Sequence, residues 1–231
     1  MAQPKQTPIS TILLRLYLVH YNIMQLVGWL LILYKFSIHA YKGLQPHTLW
    51  HDVRTPLLIF QTLQALDVFN SLVKFTKTSP IFSFLQVFAK IMVIWCVTIP
   101  LEGQAKHSWG IPLVTGAWSI GETIRYLYYL LKDAGISPHW LTWLRYTMFP
   151  PLYPFGIAGE MLLLFVGYKH LKETKLFALH LPNQLNVSFQ AEWLIVAILG
   201  LYVIFFPQVF FYLLRQRRKV LSSLGKDKKT N

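Results

Sequence analysis

Charge is what this chain has least of. Asp, Glu, Lys and Arg make up 13% of its 231 residues, where a soluble domain carries about 25%. A water-soluble globular fold is therefore excluded. Cysteine is almost absent too. Cys96 stands alone, which rules out an internal disulfide or a cysteine-built zinc site, and its apolar surroundings make it a packing residue. The residue six positions on is Glu102, not arginine, so the phosphate-binding loop of a cysteine phosphatase is missing. No Gly-rich phosphate cradle is present. The eight histidines (His20, His39, His47, His51, His107, His139, His170 and His180) mostly fall at the ends of apolar runs or in loops, without metal-ligand spacing. No metal and no cofactor are expected. A cleavable signal peptide is not expected either, because polar Met1–Ser10 leads into an apolar segment that reaches Phe36, longer than a signal h-region.

What the chain does have is hydrophobic length. Apolar residues make up 54%, mean hydropathy is +0.41, and several runs approach the ~20 residues that span a bilayer. The pattern predicts an all-α membrane protein, a six-transmembrane-helix bundle with no internal repeat. The expected spans are Ile12–Phe36, Pro56–Phe75, Ile81–Leu101, Pro112–Leu131, Tyr146–Tyr168 and Trp193–Leu214. A polar loop is expected over Ser37–Arg54. Tyr17, Tyr21, Trp29 and Tyr34 are candidates for an interfacial belt. Gln61, Gln64, Asp67 and Asn70 recur at three-residue intervals, a stripe suited to a helix packed inside a bundle. Residues 1–214 form the membrane domain and 215–231 a basic cytosolic tail.

The net charge of +13 does not point to nucleic acid. Seven of the 22 basic residues lie between Arg215 and Lys229, beyond the last apolar run. This fits positive-inside topology and contact with anionic membrane lipids. With six spans, thirteen Lys and Arg residues fall on the side of both termini and seven on the other, and the tail decides the difference. Both termini are thus expected in the cytosol. In that topology Asp67, Glu122, Arg125, Tyr153 and Glu160 all lie in the cytosolic halves of their spans, as if around one polar pocket.

Within the fifth apolar run, Tyr153 and Glu160 stand seven residues apart, close to two helical turns. They share a helix face about 10 Å apart. Pro150, Pro151, Pro154 and Gly156 are expected to break the helix there and free backbone groups to line a pocket. A carboxylate in such a segment needs a reason. It is either a reactive group working with the phenol, or it is paired structurally with Arg125 or Lys90. Glu122 and Arg125, three apart, suit an i,i+3 ion pair; Arg125 is alternatively a phosphate ligand. Lys132 and Arg145 flank the same region.

These residues carry a resemblance. Tyr17-Leu18, Tyr21-Asn22 and Gly28-Trp29, the Trp118-to-Tyr126 segment, Trp143-Leu144-Arg145-Tyr146, Leu152-Tyr153-Pro154 with Gly156 and Glu160, and Pro182-Asn183 with Asn186 all resemble the 3-hydroxyacyl-CoA dehydratase family of very-long-chain fatty acid elongation. Members of that family were first named protein-tyrosine-phosphatase-like. The resemblance implies a six-span endoplasmic reticulum enzyme that removes water from (3R)-3-hydroxyacyl-CoA to give trans-2-enoyl-CoA. It implies Tyr153 and Glu160 as its catalytic pair, and other elongase subunits, the condensing enzyme and reductases, as partners. Lys228-Lys229-Thr230-Asn231 resembles a dilysine retrieval signal. Asp67 and Asn70, Ala89-Lys90 and Gly121 depart from the family pattern. They keep open a second reading, a catalytically silent member that scaffolds elongase or other membrane proteins.

Overall fold

The computed structural model describes residues 9–76, 78–136, 138–178 and 190–227, and every regular element among them is helical. Helix α1 spans Ile9–Tyr41, α2 Pro46–Leu63, α3 Ala65–Leu72 and α4 Pro80–Ile91. The last of these continues as π-helix over Met92–Thr98. A four-residue turn, α5 (Glu102–Ala105), precedes α6 (Gly110–Asp133), α7 (His139–Thr174) and α8 (Ala191–Asp227). Proline opens α2 and α4, where its missing N–H costs nothing.

Four helical stretches have the length and apolarity to cross a membrane: Ile12–Tyr41, Pro80–Thr98, His139–Thr174 and Ala191–Ser222. The other two expected spans fall short for visible reasons. Helix α2 begins at Pro46, so the expected loop is helical from there, and its first turns carry His47, His51, Asp52 and Arg54. The rod is then interrupted at Gln64, between α2 and α3. Helix α6 carries Glu122, Arg125, Lys132 and Asp133 along its second half.

The core sits where α1, α2, α6 and α7 meet, with Trp29, Ile32, Leu49, Trp50, Leu57, Ile111 and Leu163 essentially sealed from solvent. Gln61, Gln64 and Asn70 are buried as well, in keeping with the polar stripe. Two of the expected belt residues are instead core residues. Trp29 is fully buried and Tyr21 nearly so, because α1 turns that face toward α2 and α6, whereas Tyr34 stays exposed.

Helices α6 and α7 cross through glycine. A Cβ at Gly159 would lie 2.8 Å from both the backbone nitrogen of Val114 and Cβ of Leu113, and one at Gly110 would lie 2.7 Å from the carbonyl oxygen of Gly159. Only two bare backbones fit this approach. It brings the middle of α7, with Glu160, against the first turns of α6.

The expected break in the fifth run does not occur. Helix α7 runs continuously through Pro150, Pro151 and Pro154. Each proline removes one i→i−4 hydrogen bond, but the flanking turns keep the helix in register. The amides of Gly156 and Gly159 lie inside the helix, so they are not free to bind a substrate oxygen. Gly159 serves the crossing instead.

Candidate active site

Glu160 is 6% exposed, and both of its oxygens accept hydrogen bonds from other helices. Trp118 Nε1 on α6 donates to Oε1 at 3.2 Å, and the Tyr202 hydroxyl on α8 donates to Oε2. Neither donor carries charge. Arg125 and Lys90, the structural partners expected for Glu160, donate to neither of its oxygens. Lys90 lies near: its Nζ sits 5.2 Å from the centroid of the Trp118 ring.

Tyr153 is held by aromatic packing. Its ring stacks on Phe206 of α8 at 5.3 Å between centroids and lies 4.9 Å from Phe149. Among the described residues its hydroxyl has no hydrogen-bond partner. Because α7 is unbroken between them, Tyr153 and Glu160 are separated by about 10 Å of helical rise.

Asp67, Glu122 and Arg125 form a second cluster beside the first. The Arg125 guanidinium bridges both acids, with Nη2 at 2.6 Å from Asp67 Oδ2 and Nε at 2.8 Å from Glu122 Oε2. Lys90 pairs with Glu122 from α4. Asp67 accepts two further hydrogen bonds of 2.8 Å, from the Tyr21 and Tyr126 hydroxyls. Two cations thus balance two carboxylates. Charge removed from water at this depth requires such pairing. Tyr17 donates to Asn70 Oδ1 at 3.0 Å on the margin of the cluster.

Arg145 and Lys132 lie apart from both groups, where α6 gives way to α7. The guanidinium of Arg145 lies 4.3 Å from the Tyr128 ring and 4.6 Å from the Tyr129 ring, and its Nη2 donates to the Tyr129 hydroxyl at 3.2 Å. Lys132 Nζ lies 5.7 Å from Tyr128. Tyr129 in turn packs edge-on to Tyr126, which joins this cationic patch to the ion cluster.

The structure therefore brings Asp67, Glu122 and Arg125 into direct contact, and Glu160 bonds to Trp118, one helical turn before Glu122 on α6. Tyr153 lies in an aromatic stack, and Lys132 and Arg145 are at the rim. Expected to line an open pocket, the charged groups are mostly closed on one another. The larger described cavity, about 500 Å3, lies elsewhere, beside His47, His51, Asp52, Glu102, Lys106 and His107. Trp118, Tyr126, Tyr21 and Tyr202 were not singled out from sequence as site residues. The signal was present for Tyr202, a hydroxyl in a strongly apolar run that needs a partner once buried. The dilysine end and the segment holding Pro182, Asn183 and Asn186 lie outside the described residues.

A sequence model of the family described as "Protein tyrosine phosphatase-like protein, PTPLA" matches residues 61–223. The chain belongs to that family. Curated relatives extend the likeness to 92% of the chain. The Caenorhabditis elegans protein named very-long-chain (3R)-3-hydroxyacyl-CoA dehydratase hpo-8 is 36% identical, covering 92% of this chain and 97% of its own. A mouse relative, very-long-chain (3R)-3-hydroxyacyl-CoA dehydratase 2, is 35% identical over 92% and 84%. The Arabidopsis thaliana protein named very-long-chain (3R)-3-hydroxyacyl-CoA dehydratase PASTICCINO 2 is 30% identical over 92% and 96%. No solved structure matches the chain. As a PTPLA protein, the chain carries both clusters and the whole of α7 within the matched region.

Proposed function

We propose that this PTPLA protein is a very-long-chain (3R)-3-hydroxyacyl-CoA dehydratase, a hydro-lyase of the fatty acid elongation cycle. The observation that carries the proposal is the likeness, over nearly the full length of both chains, to proteins of that name from worm, mouse and plant. The arrangement on α7 supports it chemically. Elimination needs a base for the proton on C2, next to the thioester carbonyl, and an acid for the hydroxyl leaving C3.

Glu160 suits the base. Its two oxygens both accept hydrogen bonds, the role of an ionised carboxylate. Tyr153 suits the acid, because its hydroxyl is uncommitted. Glu160 takes the C2 proton, and the C–H electron pair becomes the C2–C3 double bond. The C3–O bond breaks and Tyr153 protonates the departing oxygen, so that water leaves. Loss of that proton from Glu160 to water and uptake of one by Tyr153 reset the pair.

Six spans with both termini in the cytosol accommodate this chemistry. The rods α1, α2 with α3, α4 with its π-helical end, α6, α7 and α8 would supply them. The polar, phosphate-bearing CoA end would meet Arg145, Lys132 and Arg125 at the cytosolic rim, while the acyl chain runs among the apolar helices. The basic tail would face anionic lipid, and the enzyme would work in the endoplasmic reticulum beside condensing and reducing partners.

A dehydratase-deficient cell provides the biological test. If the chain acts as a dehydratase, it restores growth and the Glu160→Gln form does not. Equal rescue by both forms would favour the scaffold reading.

A further inference from the structure

We infer that Tyr202 is the positioning residue that holds Glu160 in place as the base, by donating its hydroxyl to Oε2; this rests on the dehydratase reading above. Glu160 has two oxygens and one must reach the substrate's C2 proton. Trp118 fixes Oε1 from α6 and Tyr202 fixes Oε2 from α8. A carboxylate held from two sides by rigid aromatic rings cannot rotate freely about its terminal torsions, which is the condition for placing a base against one particular C–H. The remaining lone pairs stay available for the proton.

Tyr202 is well placed to do this. It packs against the buried core and reaches Glu160 from α8. Phe206 lies one helical turn further along α8 and stacks on Tyr153. Helix α8 therefore touches both members of the catalytic pair, one turn apart, through Tyr202 and Phe206. It acts as a template that fixes the spacing of base and acid. Tyr202 itself is not a proton donor to substrate in this arrangement, since its hydroxyl is already committed to Glu160.

The test uses the full chain in detergent or nanodiscs with 3-hydroxyacyl-CoA of several chain lengths, with and without deuterium at C2. Tyr202→Phe keeps the ring and removes the donor. The expected result is a kcat about tenfold or more lower with KM within about twofold, and a larger C2 deuterium isotope effect, because proton removal becomes more fully rate-limiting. In a Glu160→Gln background the same substitution should add nothing. Tyr202→His, which keeps a ring N–H, should recover part of the loss, while Tyr202→Leu should not; this pair also serves if Tyr202→Phe is not recovered folded.

If wild-type protein is active and Tyr202→Phe leaves kcat and the isotope effect unchanged, the role assigned to Tyr202 is overturned and the dehydratase reading stands. If wild-type protein eliminates water from none of the substrates, the dehydratase reading falls and the role of Tyr202 falls with it.

Discussion

The indole N–H of Trp118 on α6 lies 3.2 Å from Oε1 of Glu160 on α7, and the same ring receives Lys90 on its face. One tryptophan therefore stands between the carboxylate assigned as base and the ion cluster of Lys90, Glu122, Arg125 and Asp67. The cluster and the proposed catalytic pair are neighbours without sharing a hydrogen bond, so they can be perturbed separately.

Replacing Trp118 with Phe removes the donor while keeping most of the ring. A hydrogen bond to a charged group contributes about 1.5–3 kcal/mol. The expected outcome is a thermal midpoint lowered by a stability loss of about that size, together with a roughly tenfold or larger fall in kcat, read as enoyl-CoA formed per second.

The ion cluster makes a different prediction. Arg125→Met strands Asp67 and Glu122 without the guanidinium that bridges them, and removing one partner of a buried network costs about 3 kcal/mol or more. A lower thermal midpoint in detergent is expected. Adding Asp67→Asn should restore part of it, because one unpaired charge is then gone. A double variant less stable than Arg125→Met alone would contradict the pairing.

The α6–α7 crossing can be tested through its glycines. Gly159→Ala places a methyl 2.8 Å from the Val114 backbone nitrogen, and overpacking of this kind costs about 1–3 kcal/mol. At Gly121 a Cβ meets nothing within 4 Å. There, alanine in a helix interior should be neutral or stabilising by about 0.5–1 kcal/mol. The contrast between the two thermal midpoints checks the crossing.

Acid stability has a marker at the other end of the bundle. Hydrogen bonds from His39 and His51 hold the Asp52 carboxyl below the usual aspartate value. A depressed carboxyl contributes stability that is complete above about pH 4 and is lost as the pH falls through the lower folded value. Asp52→Asn should therefore be less stable than wild type near neutrality. The gap in thermal midpoint should close as the pH drops below about 4.

Several of these features were legible in the sequence for identifiable reasons. Glu160 and Arg125 stand out because charge in apolar runs is rare, and the i,i+3 spacing of Glu122 and Arg125 already implied their contact. The burial of Gln61, Gln64 and Asn70 followed from their period. Other features depend on the third dimension. Prolines at 150, 151 and 154 suggested a broken helix, yet α7 continues through them, because local geometry yields to packing on both sides. Tyr21 looked like a belt residue until Asp67 was found within hydrogen-bond distance. Tyr202 had no neighbour in sequence to mark its partner, which lies 42 residues away on another helix.

The central claim is that the PTPLA chain removes water from 3-hydroxyacyl-CoA through Glu160 and Tyr153. The direct measurement is conversion of a purified very-long-chain 3-hydroxyacyl-CoA to its trans-2-enoyl product by wild type, Tyr153→Phe and Glu160→Gln. Robust turnover by wild type, with each variant reduced by about 100-fold or more, is the predicted result. Turnover near the wild-type rate in both variants would contradict it.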